Sequence, residues 1–262
     1  MARVTEKYAS DPIEQAKAQA LAEYSAKKTS SVPTEIVDLP SEGRFYPKDH
    51  PLRSGKIEMR YMTAYDEDIL TNASYIRNGV AIDRLLDALI ITPGVKFGDI
   101  LNCDKDAMII AARILSYGKT YDAIVTTPSD KQLKVTIDLS TLDLKTSLIE
   151  ANDNGVCTFK NDRYQVDFKF LTIEQQDRVR NSDKPLFEFL IESIVSLNGE
   201  TSKEKIKEHL QYNMLVSDSK ELRSFIISNL PTIDLTSEFE DEHGGVFRRG
   251  FPIGSDFFYP EY

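Results

Sequence analysis

Residues 104–118, DKDAMIIAARILSYG, constrain this chain more than any other stretch. Apolar side chains fill too many of its positions for the single stripe of a surface helix, so a helix here has to sit at the centre of a core. Asp104 or Asp106 opens it, because a carboxylate suits a helix start. Gly118 closes it, because glycine takes positive φ without strain where the helix turns out.

The segments around this helix are shorter and of both kinds. TEIVDL at 34–39 and GKIEMRYMT at 55–63 alternate apolar and polar residues as half-buried strands do. Thr63 with Asp66, and Thr172 with Gln175, stand in capping-box spacing and start helices. Asp83 precedes the apolar run RLLDALIITP, which Pro93 and Gly94 end. YDAIVTT and QLKVTIDL, joined by PSDK, form one hairpin; GVCTFKN and RYQVDFKFL, joined through Asn161 and Asp162, form another. A helical run follows, over about 173–181, 185–198, 203–215 and 218–229. The last 31 residues are again strand-like and rich in turns. The order implies an α+β fold, with antiparallel hairpins packed on a mostly helical core and a C-terminal helical run.

Three regions are expected. Residues 1–31 read as an N-terminal arm, either frayed in solvent or ordered on a partner. Residues 32–170 carry the hairpins and the central helix, and 171–262 the helical run with an aromatic tail.

The net charge of −10 argues against nucleic acid or an anionic membrane as partner, since both want a basic face. No run approaches a membrane helix, and the first residues lack the apolar centre of a signal peptide. Two cysteines, Cys103 and Cys157, make no disulfide framework and suit a reducing cytoplasm.

Sites of chemistry do not assemble. Gly118-Lys119-Thr120 imitates the end of a phosphate loop, but Arg113 stands where its first glycine belongs and a helix precedes it. His50, His209 and His243 fall in no metal-ligand spacing and read as surface residues. IGSDF around Ser255 lacks the second glycine of a nucleophile elbow. Cys157 reads as a small core residue, and Asp66 with Asp68 fit helix-start electrostatics. The expectation is a protein that is not an enzyme, with no catalytic residue, metal or cofactor.

Two aromatic segments are the interaction candidates. Pro40, Gly43 and Pro47 fix a turn that carries Phe45 and Tyr46, either as a docking element or as a staple with both rings buried. Phe251, Phe257, Phe258 and Tyr259 crowd the C-terminal segment, which either folds back on its own domain or anchors in another chain.

LPSEGRFYP at 39–47, MTAYDEDIL at 62–70, AARILSYGKTY at 111–121 and PIGSDFFYP at 252–260 stand in an order that resembles the baseplate hub assembly proteins of T-even-type phages. The likeness runs from about Ile36 onward and leaves out the arm. It implies a non-enzymatic, chaperone-like assembly factor, itself a candidate oligomer, that binds hub or tape-measure components during tail assembly in the host cytoplasm. The alternative it leaves open is a structural subunit of the mature baseplate. It also brings a pattern of cysteine pairs suited to a zinc ribbon, from which this chain departs at Thr127 and Asp130 and in FEDEHGG at 239–245. Any ribbon-like hairpin is therefore expected to be held by packing alone.

Overall fold

The computed structural model describes residues 32–241, 243–251, 253 and 255–258. The chain divides into two units, Met1–Pro33 and Thr34–Tyr262, and all that follows belongs to the second. The arm read from residues 1–31 lies outside the described residues.

In chain order the elements are β1 (Thr34–Asp38), β2 (Lys56–Arg60), α1 (Ala64–Thr71), α2 (Ala73–Arg77), α3 (Ala81–Leu89) and α4 (Lys105–Tyr117). Then come β3 (Thr120–Thr126), β4 (Gln132–Asp138), β5 (Leu144–Lys145), β6 (Cys157–Lys160) and β7 (Gln165–Phe168). The last part holds α5 (Ile173–Arg180), α6 (Pro185–Ser193), β8 (Ile194–Leu197), α7 (Lys203–Tyr212), α8 (Val216–Ser228), β9 (Thr232–Ile233), β10 (Thr236–Glu240) and β11 (Val246–Gly250). All strand pairing is antiparallel: β1 with β2, β3 with β4, β5 with β9, β10 with β11, and a three-stranded β6-β7-β8 sheet. This is the α+β fold that the pattern implies.

The central helix is as expected. α4 buries Ala107, Met108, Ile109, Ile110, Ala112 and Arg113, and packs against α3, β1, β9 and the C-terminal 3-10 turn at Ser255–Phe258. Facing it, α3 buries Leu85, Leu86 and Leu89 completely. At about 25 cal/mol per Å² of apolar surface, each such leucine contributes up to about 3 kcal/mol.

The helix starts follow from local chemistry. Thr63 and Asp66 form the capping box of α1, and Thr172 and Gln175 that of α5. Asp66 does more than cap. It also takes both terminal nitrogens of Arg60, at 2.7 and 2.8 Å, in a buried pair. Asp83 lies within the first turn of α3, not ahead of it, and pairs with Lys105 of α4.

One expected helix is too long. The helix read over 185–198 stops at Ser193, and Ile194–Leu197 instead forms β8 on β7, with Val166 opposite Leu197 and Phe168 opposite Ile194. Asn198 and Gly199, at φ 50° and 83°, turn the chain back after it. A β-branched pair ahead of Asn-Gly is a strand-and-turn signal, and here it overrides the helical run.

The boundary expected at 170–171 is crossed by one continuous core. Phe170 and Leu171 are both buried. The Asn102 N–H donates to the Leu171 carbonyl at 2.9 Å, and Ile173 N–H to that of Ile100 at 2.8 Å. The β3–β4 hairpin closes with Thr127 N–H on the Lys131 carbonyl and Thr127 Oγ1 against Ser129 Oγ at 3.0 Å.

Candidate docking surface

The turn segment at residues 39–55 is pinned from within. Glycines at 43 and 55 take φ of 75° and 73°, and a Cβ on Gly43 would stand 2.3 Å from the Arg53 carbonyl oxygen. The two passes of backbone therefore touch where only glycine fits. Arg53 Nη1 donates to the carbonyls of Arg44 and Tyr46 at 2.7 and 2.8 Å.

Beneath the turn lies a buried acid. Asp104 Oδ1 accepts from the Ser41 N–H at 2.9 Å, and Oδ2 accepts from Ser41 Oγ and from the Tyr46 hydroxyl, each at 2.8 Å. The Tyr46 oxygen in turn accepts from the Leu101 N–H at 2.9 Å. Burial raises the Asp104 carboxyl to about 6 against the pull of these donors. Burial and the neighbouring carboxylate hold the Tyr46 phenol well above its ordinary value, so it remains a donor. The residue that opens α4 in sequence thus spends its carboxylate on a segment 63 residues away, and makes no side-chain cap.

These contacts decide between the readings of the aromatic turn. Phe45 and Tyr46 are each 2% exposed, Phe45 edge-on to Phe170 at 4.7 Å and Tyr46 stacked on His50 at 4.7 Å. As exposed docking rings they are corrected: burying both offers more than leaving them in water, and the hydroxyl finds its partner inside. His50 is corrected too. It is half-buried, its Nδ1 accepts from Leu52 N–H at 3.2 Å to cap a 3-10 turn, and burial lowers its pKa.

The aromatic C-terminal segment is likewise interior. Phe251, Phe257 and Phe258 are 3%, 1% and 0% exposed. Tyr121 meets Phe257 at 4.8 Å and Phe251 at 6.0 Å, and Arg113 Nε donates to the Phe257 carbonyl at 3.0 Å. These three therefore pack their own domain and are not free anchors, because they cover the apolar side of β3 and α4. Tyr259 lies outside the described residues. Among the described residues, the two candidate groups lie in different parts of the core and neither forms a surface.

Exposed apolar side chains occur elsewhere. Leu186, Tyr212, Leu215 and Val216 are 64%, 72%, 54% and 81% exposed. The helices α6 and α7 form an antiparallel hairpin through β8 and the Asn198–Gly199 turn. Lys203, at the start of α7, donates its ammonium to the carbonyls of Ile191 and Ile194 at the end of α6, 2.6 and 2.9 Å away. At the other end the helices leave an open groove of about 470 Å³, lined by Lys184, Pro185, Leu186, Phe187, Leu210 and Gln211. Tyr212 follows directly, and Leu215 and Val216 begin α8. Single exposed apolar residues are ordinary, but several beside a groove mark a contact surface. The sequence signal was PLFEFLI in α6, five apolar residues among seven, more than one buried face absorbs.

Among the described residues no three His, Cys, Asp or Glu side chains group to hold a metal ion, and no helix is long and apolar enough to cross a membrane. Cys103 and Cys157 are buried free thiols, both pushed up by burial. A family profile described as T4 bacteriophage base plate protein matches residues 33–246, most of the chain. The chain belongs to that family. No curated protein and no solved structure matches it. The profile covers the pinned turn, the central helix, the two helices that line the groove and most of the β10–β11 hairpin of this base plate protein, and stops short of the aromatic C-terminal segment.

Proposed function

We propose that this base plate protein is a non-enzymatic assembly factor, chaperone-like, that binds hub or tape-measure components while the tail is built. The observation that carries the reading is the α6–α7 groove, lined by the exposed Leu186 with Phe187 and Leu210, together with the exposed Tyr212, Leu215 and Val216 that follow it in the chain. A chain that leaves such side chains in water beside a concave site has a binding surface to fill. The buried Asp104–Tyr46–Ser41 network supports a rigid scaffold elsewhere in the same unit, since each polar atom it names is satisfied inside. The resemblance in sequence to hub assembly proteins supports the assembly role.

Quantitative mass spectrometry of purified particles beside a lysate of the same infected cells tests it. Abundance in the lysate with none in particles is the expected result. A fixed whole-number ratio to hub proteins in particles would replace the reading with its alternative, a structural subunit of the mature baseplate.

A further inference from the structure

The chain holds three Asn-Gly pairs, at 78–79, 154–155 and 198–199. Such a pair is open to self-modification, because glycine has no side chain to shield its amide nitrogen from the asparagine before it. Folding restrains two of them. Asn198 is fastened by its side chain: Oδ1 accepts from the Gln165 N–H at 2.8 Å, and Nδ2 donates to the Arg163 carbonyl at 3.4 Å. Gly155 is buried against the pinned turn, where a Cβ would stand 2.1 Å from the Phe45 carbonyl oxygen. Its N–H donates to the Asn152 carbonyl at 2.9 Å. The third pair has neither restraint. Asn78 is exposed, and its side chain has no hydrogen-bond partner among the described residues. Nothing lies within 4 Å of the Cβ position on Gly79. The Gly79 N–H donates to the Ile76 carbonyl at 3.0 Å, at the end of α2, a helix of five residues none of which is buried. So short a helix, with no packed face, opens readily.

We propose that Asn78–Gly79 is a self-modification site, where the folded protein converts Asn78 to aspartate and isoaspartate without an enzyme. Hydroxide takes the proton of the Gly79 nitrogen, which attacks Cγ of Asn78. The side-chain nitrogen takes a proton from water and leaves as ammonia, and a five-membered imide closes. Water then opens the imide at either carbonyl. One route leaves an aspartate; the other carries the main chain through the side-chain carbon as isoaspartate. Water and hydroxide are the co-reactants, and nothing is oxidised or reduced. Either product puts a carboxylate at the C-terminal end of α2, where the macrodipole disfavours it. Isoaspartate also lengthens the main chain beneath two bonds of that turn, Asn78 N–H to the Ser74 carbonyl at 3.1 Å and Val80 N–H to the Tyr75 carbonyl at 2.9 Å. α3 begins just beyond, at Ala81, and is held by the buried Leu85, Leu86 and Leu89. The change therefore loosens α2 and adds negative charge to the surface while the core stays closed.

The test incubates the full chain in heavy-oxygen water at mildly alkaline pH, once folded and once in guanidinium chloride, and follows the three pairs by peptide mass mapping. Oxygen from the solvent marks the conversion that took place during incubation and not during digestion. Unfolded, all three pairs should convert at similar rates, since each is then a free Asn-Gly. Folded, Asn78 should convert within about fivefold of its unfolded rate, whereas Asn154 and Asn198 should each slow by at least about tenfold. Gly79→Ala, whose methyl group enters open space, should slow conversion at position 78 in both states, because the added side chain shields the attacking nitrogen. Folded-state rates that are equal at all three pairs overturn the proposal. So does conversion of Asn154 or Asn198 ahead of Asn78, or an Asn78 that folding slows by about tenfold or more.

Discussion

Asp104→Asn tests the account of the pinned turn through its pH dependence. An ordinary aspartate titrates near 3.8 and this one near 6, because burial penalises its charge more than Ser41 and Tyr46 reward it. A carboxyl raised on folding binds more protons in the native state than in the unfolded one between those values. Its contribution is therefore fully present below about 4 and is lost as pH rises through about 6. At 1.36 kcal/mol per pH unit the loss is about 3 kcal/mol. Asn cannot titrate, so its variant lacks this decline. The assay is urea unfolding of both proteins at pH values from about 4 to 7.5, plotted as a difference in unfolding free energy. Asp106 on the same helix is also raised by burial, but it is present in both proteins and cancels. The wild type should lose about 3 kcal/mol relative to the variant across the range. Parallel curves would refute the reasoning, since they would mean that the buried carboxylate is fully solvated or already compensated.

Three further outcomes follow from the packing. Gly155→Ala should cost about 3 kcal/mol or more, because the new Cβ would meet the Phe45 carbonyl oxygen at 2.1 Å at a φ of 71°, whereas Gly79→Ala, with open space around it, should cost only about 1 kcal/mol. Urea midpoints of the pair separate the clash from the backbone strain. Phe257→Ala should lower stability by about 3–5 kcal/mol if the C-terminal ring is core, as its burial against Tyr121 requires, and calorimetry reads the drop directly. Arg60→Met leaves Asp66 charged and buried without its bidentate partner, and should cost about 3–5 kcal/mol at neutral pH by urea unfolding.

Much of this fold is written in short stretches of sequence. Thr63 and Thr172 cap helices with residues three positions on, and the Asn161–Asp162 turn sets its own hairpin, so nothing distant is needed to read them. The density of apolar residues in α4 alone implied its central place. Local reading failed where the deciding partner is remote or where two local signals compete. Ile194–Leu197 follows a helical run but is claimed by β7, about 30 residues back. Asp104 looks like a helix opener until Ser41 and Tyr46 arrive from 63 and 58 residues away. Phe45, Tyr46 and the C-terminal phenylalanines carry the composition of binding anchors, and composition cannot tell an anchor from a ring in the core. The groove is legible only in part: PLFEFLI holds more apolar residues than one buried face absorbs, but only the packing shows which side of α6 stays uncovered.

The bond from Arg113 to the Phe257 carbonyl spans 144 residues of chain. On a ribosome adding about 5–20 residues per second, that separation is a delay on the order of ten seconds. During it the Arg113 side of α4 and the ring of Tyr121 have been synthesised but lack the phenylalanines that will cover them. Synthesis halted before Phe257 would leave that apolar side open for good, so full-length translation is itself a step in closing the core.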